Sequence, residues 1–209
     1  MATKSGVGLL PLVLVAAGVV VFWPELQEKF GDVVGGVTGG VELVGEGENR
    51  FMVAASASSR VDQCTPQKSL AEGACEDLKF IVFDASKMPF IARNISQAWK
   101  TGREGVLTKD SQAEPQNRKE VCLPSFPRAF GGECDEYPFA STRQGGRGAR
   151  EMEVPARENR CQGGTINAQQ IVRGIKDGDD YLVVIIHPEN IATGDYQGVD
   201  IAIEKETCG

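Results

Sequence analysis

Asp135 and Glu136 stand side by side in the stretch GGECDEYPFASTRQGG, residues 131–146, and ENRCQGG follows at residues 158–164. Paired carboxylates can accept a proton or hold a hard divalent cation through oxygen. An ordinary Asp has a pKa of about 3.9, so it is ionised at neutral pH but is a weak base. Neighbours in an extended strand point to opposite faces. Asp135 then shares a face with Tyr137 and Phe139, and Glu136 shares the other with Cys134. The two acids are expected to do different jobs unless the chain bends at Pro138, a residue type of strand edges and ends. The plainer reading is two solvated charges at a strand start.

Cationic side chains cluster nearby. Arg143, Arg147, Arg150, Arg157 and Arg160 alternate with Glu151, Glu153 and Glu158, and Arg118 and Lys119 lie upstream. Such a cluster can grip nucleic-acid phosphates without reading sequence. A solvated turn and exposed strand face would look the same. The net charge of -7 argues against binding nucleic acid through bulk electrostatics. A nucleic-acid role therefore requires a local basic patch or a bound metal.

Several elements must hold these residues in place. LKFIVF, residues 78–83, reads as a buried strand. In FIARNISQAWKTG the apolar Ile91, Ile95, Ala98 and Trp99 fall on one helical face, and Gly102 suits the C-terminal end. GVLTK is a second strand candidate, and residues 115–121 read as a short helix entered through Pro115. Residues 123–134 read as loop. Strands are expected over 136–141 and 149–154, with Pro155 ending the second and a helix over about 164–175. Residues 177–180 (DGDD) mark a turn, YLVVIIH at 181–187 a buried strand, and VDIAIE at 199–204 an ordered piece of an otherwise irregular tail.

Residues 7–23 are an uncharged apolar run, at the low end of the roughly 17–25 residues needed to span a bilayer. No small-x-small cleavage site follows directly, so an uncleaved anchor is favoured over a signal segment. This divides the chain into an anchor or signal segment over 1–30, a Gly/Val/Ser-rich linker over 31–60, of which FMVAAS at 51–56 could pair as a strand, and a folded domain over 61–209. All six cysteines, Cys64, Cys75, Cys122, Cys134, Cys161 and Cys208, follow the apolar run. An even set of this kind suits an exported, disulfide-held domain. With no CxxC and one histidine, a structural zinc site is not expected. The expected pairs are Cys64–Cys75, Cys122–Cys134 and Cys161–Cys208, weighted toward the two short loops.

CDEYPFASTRQGGRGA followed by VPARENRCQGG resembles the NucA/NucB deoxyribonuclease family, whose domain also occurs in polymorphic toxins. FIVFDASKMPFIARNISQAWKTGR and NRKEVC support the likeness, which is strongest over residues 78–187. The resemblance implies an α+β fold: a ββα-metal finger nuclease core with a small mixed or antiparallel sheet and flanking helices, stabilised by disulfides. It implies a largely sequence-nonspecific, metal-dependent endonuclease that uses Mg²⁺ or Mn²⁺ and an aspartate base. Asp135 is the base by this likeness, and Glu136 is a metal ligand or an orienting acid. Asn159 and Glu158 match the family's metal-ligand position, with Gln162 and Asn167 in reserve; helix capping is the other reading of Asn159. Arg118, Arg143, Arg147, Arg150 and Arg160 would contact DNA. Arg143 and Gln144 stand where related short members carry acids, and Asn94 stands where the family's helix often carries a histidine. The implied partners are a DNA substrate, a membrane through the apolar segment and, for a toxin, an immunity protein. A monomer outside the cytoplasm is expected. The alternatives are an inactive envelope-binding module and the nuclease end of a longer secreted toxin.

Overall fold

The structure is a computed structural model that describes residues 40–208. In chain order it holds β1 (Val41–Val44), β2 (Phe51–Ala54), α1 (Pro66–Glu72), β3 (Ala74–Cys75), β4 (Leu78–Asp84) and α2 (Pro89–Lys100). There follow β5 (Val106–Thr108), α3 (Glu114–Glu120), β6 (Glu133–Tyr137), β7 (Arg150–Val154), α4 (Ala156–Val172) and β8 (Asp180–Ile186).

The apolar run of β8 is buried because the strand is central. It pairs in parallel with β4, from Lys79 opposite Tyr181 to Asp84 opposite Ile186. β2 pairs antiparallel with its far end and β5 with its beginning. The sheet order is β1-β2-β8-β4-β3. Beyond β3 the edge of β4 is open, and α4 closes it. The Gln169 Nε2 donates to Val82 O at 2.7 Å and its Oε1 accepts from Val82 N at 2.9 Å, replacing a missing strand. The α+β class expected from the sequence is borne out.

The apolar stripe of α2 is the one expected: Ile91, Ile95, Ala98 and Trp99 are fully buried. Its other attachments reach β6. Trp99 Nε1 donates to the Tyr137 hydroxyl at 2.9 Å, and that hydroxyl donates to Glu104 O at 2.7 Å.

Three sequence expectations are corrected. Residues 41–60 are not a linker: β1 and β2 belong to the main sheet, and Phe51 and Val53 are fully buried. The strand expected over 136–141 is instead Glu133–Tyr137, since Pro138 has no N–H to continue the ladder. Residues 199–204 form no strand. Their alternation is real but faces outward, with Val199, Ile201 and Ile203 exposed while Ala202 is buried. The segment hangs on Ser86 O, which accepts from Ile203 N and Glu204 N, and on the Arg157–Asp200 ion pair at 2.6 Å.

All three expected disulfides form: Cys64–Cys75, Cys122–Cys134 and Cys161–Cys208. Among the described residues no helix is long and apolar enough to cross a membrane. The apolar run at 7–23, read as an anchor, lies outside them.

Candidate active site

β6 and β7 form an antiparallel pair with Glu133 opposite Val154, Asp135 opposite Met152 and Tyr137 opposite Arg150. α4 begins directly after β7, at Ala156 rather than near residue 164, because Pro155 enters a helix readily and the two glycines inside do not stop it. Two strands and a helix thus form the ββα unit. The turn between the strands needs its glycines. A Cβ on Gly145 would lie 2.3 Å from Phe139 O, and Gly146 sits at φ +82° against Asn117. The Asn117 Nδ2 in turn donates to Ala140 O and Thr142 O at 2.8 and 2.9 Å.

The two acids divide as strand alternation requires. Asp135 faces α2 and is 1% exposed. Asn94 Nδ2 donates to its Oδ2 at 2.7 Å, while Asp135 Oδ1, Asn94 Oδ1 and Gln162 Nε2 find no hydrogen-bond partner. Burial pushes the Asp135 carboxyl up to about 7, against the lowering effect of Asn94. Glu136, on the other face, lines a cavity of about 340 Å³ between α3 and α4. Burial raises its pKa as well, opposed by the Arg118 charge. Gln162, Asn167, Gln170, Lys109 and Arg118 line the same cavity. Gln162 is the link between the two acids: it borders the cavity that holds Glu136 and flanks the Asp135 carboxyl.

The remaining ligand candidates lie elsewhere. Glu158 is fully buried, and its Oε2 accepts from Phe90 N at 2.9 Å and Ile91 N at 3.1 Å. It satisfies free amides at the start of α2, a helix whose own cap residue Met88 offers no acceptor. Asn159 Nδ2 donates to Glu133 at 2.9 Å, near the beginning of β6. Neither lines the cavity. Among the described residues, Cys122, Cys134 and Glu151 offer ligand atoms within 4.8 Å of one another. The two sulfurs are joined in a disulfide, so no thiolate is available to bind a metal.

The arginines do not converge. Arg118 lines the cavity and pairs with Glu114 at 2.8 Å. Arg143, Arg147 and Arg160 are exposed, each 3.8–3.9 Å from an acid: Asp110, Glu120 and Glu133. Exposed pairs of this length are weak and easily exchanged for phosphate. Arg150 is half-buried and lies in a separate cleft with Phe130, Asp195 and Tyr196. Arg157 ties α4 to the tail. Lys109 and Gln170 were missed in the sequence. Lys109 sits after β5 and Gln170 near the end of α4, and only the packing of those elements brings them to one cavity.

The comparisons bear on this unit. The family model described as Deoxyribonuclease NucA/NucB matches residues 95–184. That segment is similar to the NucA/NucB family. It holds β6, β7, α4 and every cavity residue named above, and it begins one residue after Asn94. A curated relative, a DNA-entry nuclease of Bacillus subtilis (strain 168), is 30% identical over 83 residues. The match covers 40% of this chain and 56% of that protein, so the chain spans little more than half the relative's length. The family model thus spans the residues 131–164 that carry the NucA/NucB resemblance, and the Bacillus relative supports the same likeness.

Proposed function

We propose that the protein is a metal-dependent endonuclease that hydrolyses DNA phosphodiester bonds. The observation that carries this reading is a NucA/NucB-type ββα unit whose first strand sends Asp135 and Glu136 to two sides of Gln162. The family description and the name of the Bacillus relative support DNA as substrate.

Asp135 takes the proton from the attacking water. A carboxyl pushed up to about 7 is a far stronger base than an ordinary aspartate and is matched to neutral pH. Asn94 holds its orientation through the 2.7 Å hydrogen bond. Asp135 is buried and does not itself line the cavity; Gln162, which does, flanks its carboxyl and is the residue that would have to admit the water. Glu136, Gln162 and Asn167 offer one carboxylate and two amide oxygens in one cavity, a hard oxygen set that fits Mg²⁺ or Mn²⁺. A cation held there would neutralise the phosphate and assist the leaving oxygen. Arg118 adds positive charge at the rim. Glu158, tied to the α2 amides, is given a structural role. Three disulfides suit an oxidising compartment outside the cytoplasm.

The test is plasmid nicking by the purified protein with Mg²⁺ or Mn²⁺ and with EDTA. Cleavage that EDTA abolishes is expected. A folded protein that leaves plasmid intact with either metal would sink the enzyme reading.

A further inference from the structure

Gln170 is 6% exposed and lines the cavity, yet its side chain hydrogen-bonds to no described residue; its Nε2 is buried and unpartnered. Leaving a buried donor unsatisfied is costly, so a position of this kind is explained by a ligand that supplies the acceptor. Gln170 stands eight residues after Gln162 on α4. At 1.5 Å per residue that separates it by about 12 Å from the metal-binding end. It therefore serves a different part of the substrate from the reacting phosphate.

The chemistry around Gln170 selects the ligand. Lys109 and Asn167 line the same cavity. Lys109 Nζ makes a single hydrogen bond, 3.3 Å to Ile175 O, and so keeps donor capacity. Of the nearby acids, Asp177 feels the Lys109 charge but does not line the cavity. Glu114 is matched by Arg118 at 2.8 Å, and Glu136 sits at the far end, where a divalent cation would be held. Ser111 turns to Asp177. An ammonium and a buried amide donor in one concave site fit a phosphate oxygen rather than a base edge, whose mixed donors and acceptors would leave these groups half-used.

We propose that Gln170, with Lys109, forms a second phosphate subsite that grips the DNA backbone beyond the nucleotide being cleaved. This rests on the nuclease reading and names how that site holds its substrate. The subsite contacts backbone, so it adds affinity for every sequence alike.

The test is equilibrium binding of a short single-stranded oligodeoxynucleotide to the full chain in EDTA, beside steady-state cleavage with metal. Gln170→Met removes the donor at similar volume, and Gln170→Glu replaces it with a charge that repels phosphate. Both should weaken oligonucleotide binding, about tenfold or more for Gln170→Glu, and raise KM by a similar factor while kcat holds. Lys109→Met should lower the salt slope of binding by about one. Thermal melting verifies that each variant is folded. Unchanged binding and KM in folded Gln170→Glu would overturn the subsite while leaving the nuclease intact. A fall in kcat at constant KM would overturn it too. Should the wild type bind through Gln170 and not cut, the subsite stands and the enzyme reading falls.

Discussion

At the residue scale, Asp135 and Glu136 are one position apart and chemically separate. Alternation along β6 buries one beside Asn94 and opens the other to the cavity. Asp135→Asn keeps the shape and removes the proton acceptor, so it should lower cleavage about a hundredfold or more without lowering the melting temperature. An undiminished rate would remove Asp135 as the base. The buried acids also set a pH dependence of stability. Burial pushes Asp135 up to about 7 and Glu158 up to about 8, above their ordinary values of 3.8 and 4.5. The folded state therefore keeps these protons where the unfolded chain has lost them. Their stabilising contribution is complete below about pH 4 and is lost as pH rises through about 7 to 8. The lowered acids Asp84 and Asp200 act in the opposite direction, but at lower pH. In EDTA, the urea midpoint should fall between pH 5 and pH 8, and Glu158→Gln should flatten that fall. A midpoint rising over this range would contradict the burial of these carboxyls.

At the element scale, α4 does most of the positioning. It closes the edge of β4 through Gln169, caps α2 through Glu158, lines the cavity through Gln162 and Gln170, and anchors the tail through Cys161. It does so with two adjacent glycines in its middle. Gly164 is exposed, and a Cβ there would meet nothing within 4 Å. Gly164→Ala should therefore stabilise the protein by about 0.5–1 kcal/mol in urea unfolding. A loss of stability would mean that the backbone there needs glycine. The Cys161–Cys208 bond closes a separation of 47 residues, the longest of the three. Replacing both cysteines with serine should cost about 2–4 kcal/mol, measured the same way.

At the scale of the whole molecule, an acidic chain is proposed to act on a polyanion. The net charge is -7, and most arginines of the finger stand beside acids. Among the described residues, only Lys109 and Arg118 bring positive charge to the cavity itself. Two phosphate contacts on a single strand imply a salt slope of roughly -1.4, so metal-free oligonucleotide binding should weaken only about sevenfold from 50 to 200 mM salt. A loss of a thousandfold would show that the exposed arginines join the interface.

Much of this was legible in the residues themselves. Short cysteine spacings favoured two of the disulfides, apolar periodicity marked α2, β4 and β8, and the DEYP and ENRCQGG blocks marked the finger. Those signals are local: a turn, a face or a short loop repeats within a few residues and needs no partner to be read. The sequence alone also separated Asp135 from Glu136, because strand geometry alternates. It did not say which acid would be buried, that Glu158 would cap α2 instead of facing the cavity, or that residues 41–44 would pair with FMVA to complete the sheet. Nor did it place Lys109 beside Gln170, or deny VDIAIE a strand partner. Each of these depends on which distant element packs against a given face, and that is decided only when β8 takes its place between β2 and β4 and α4 lies across their neighbours.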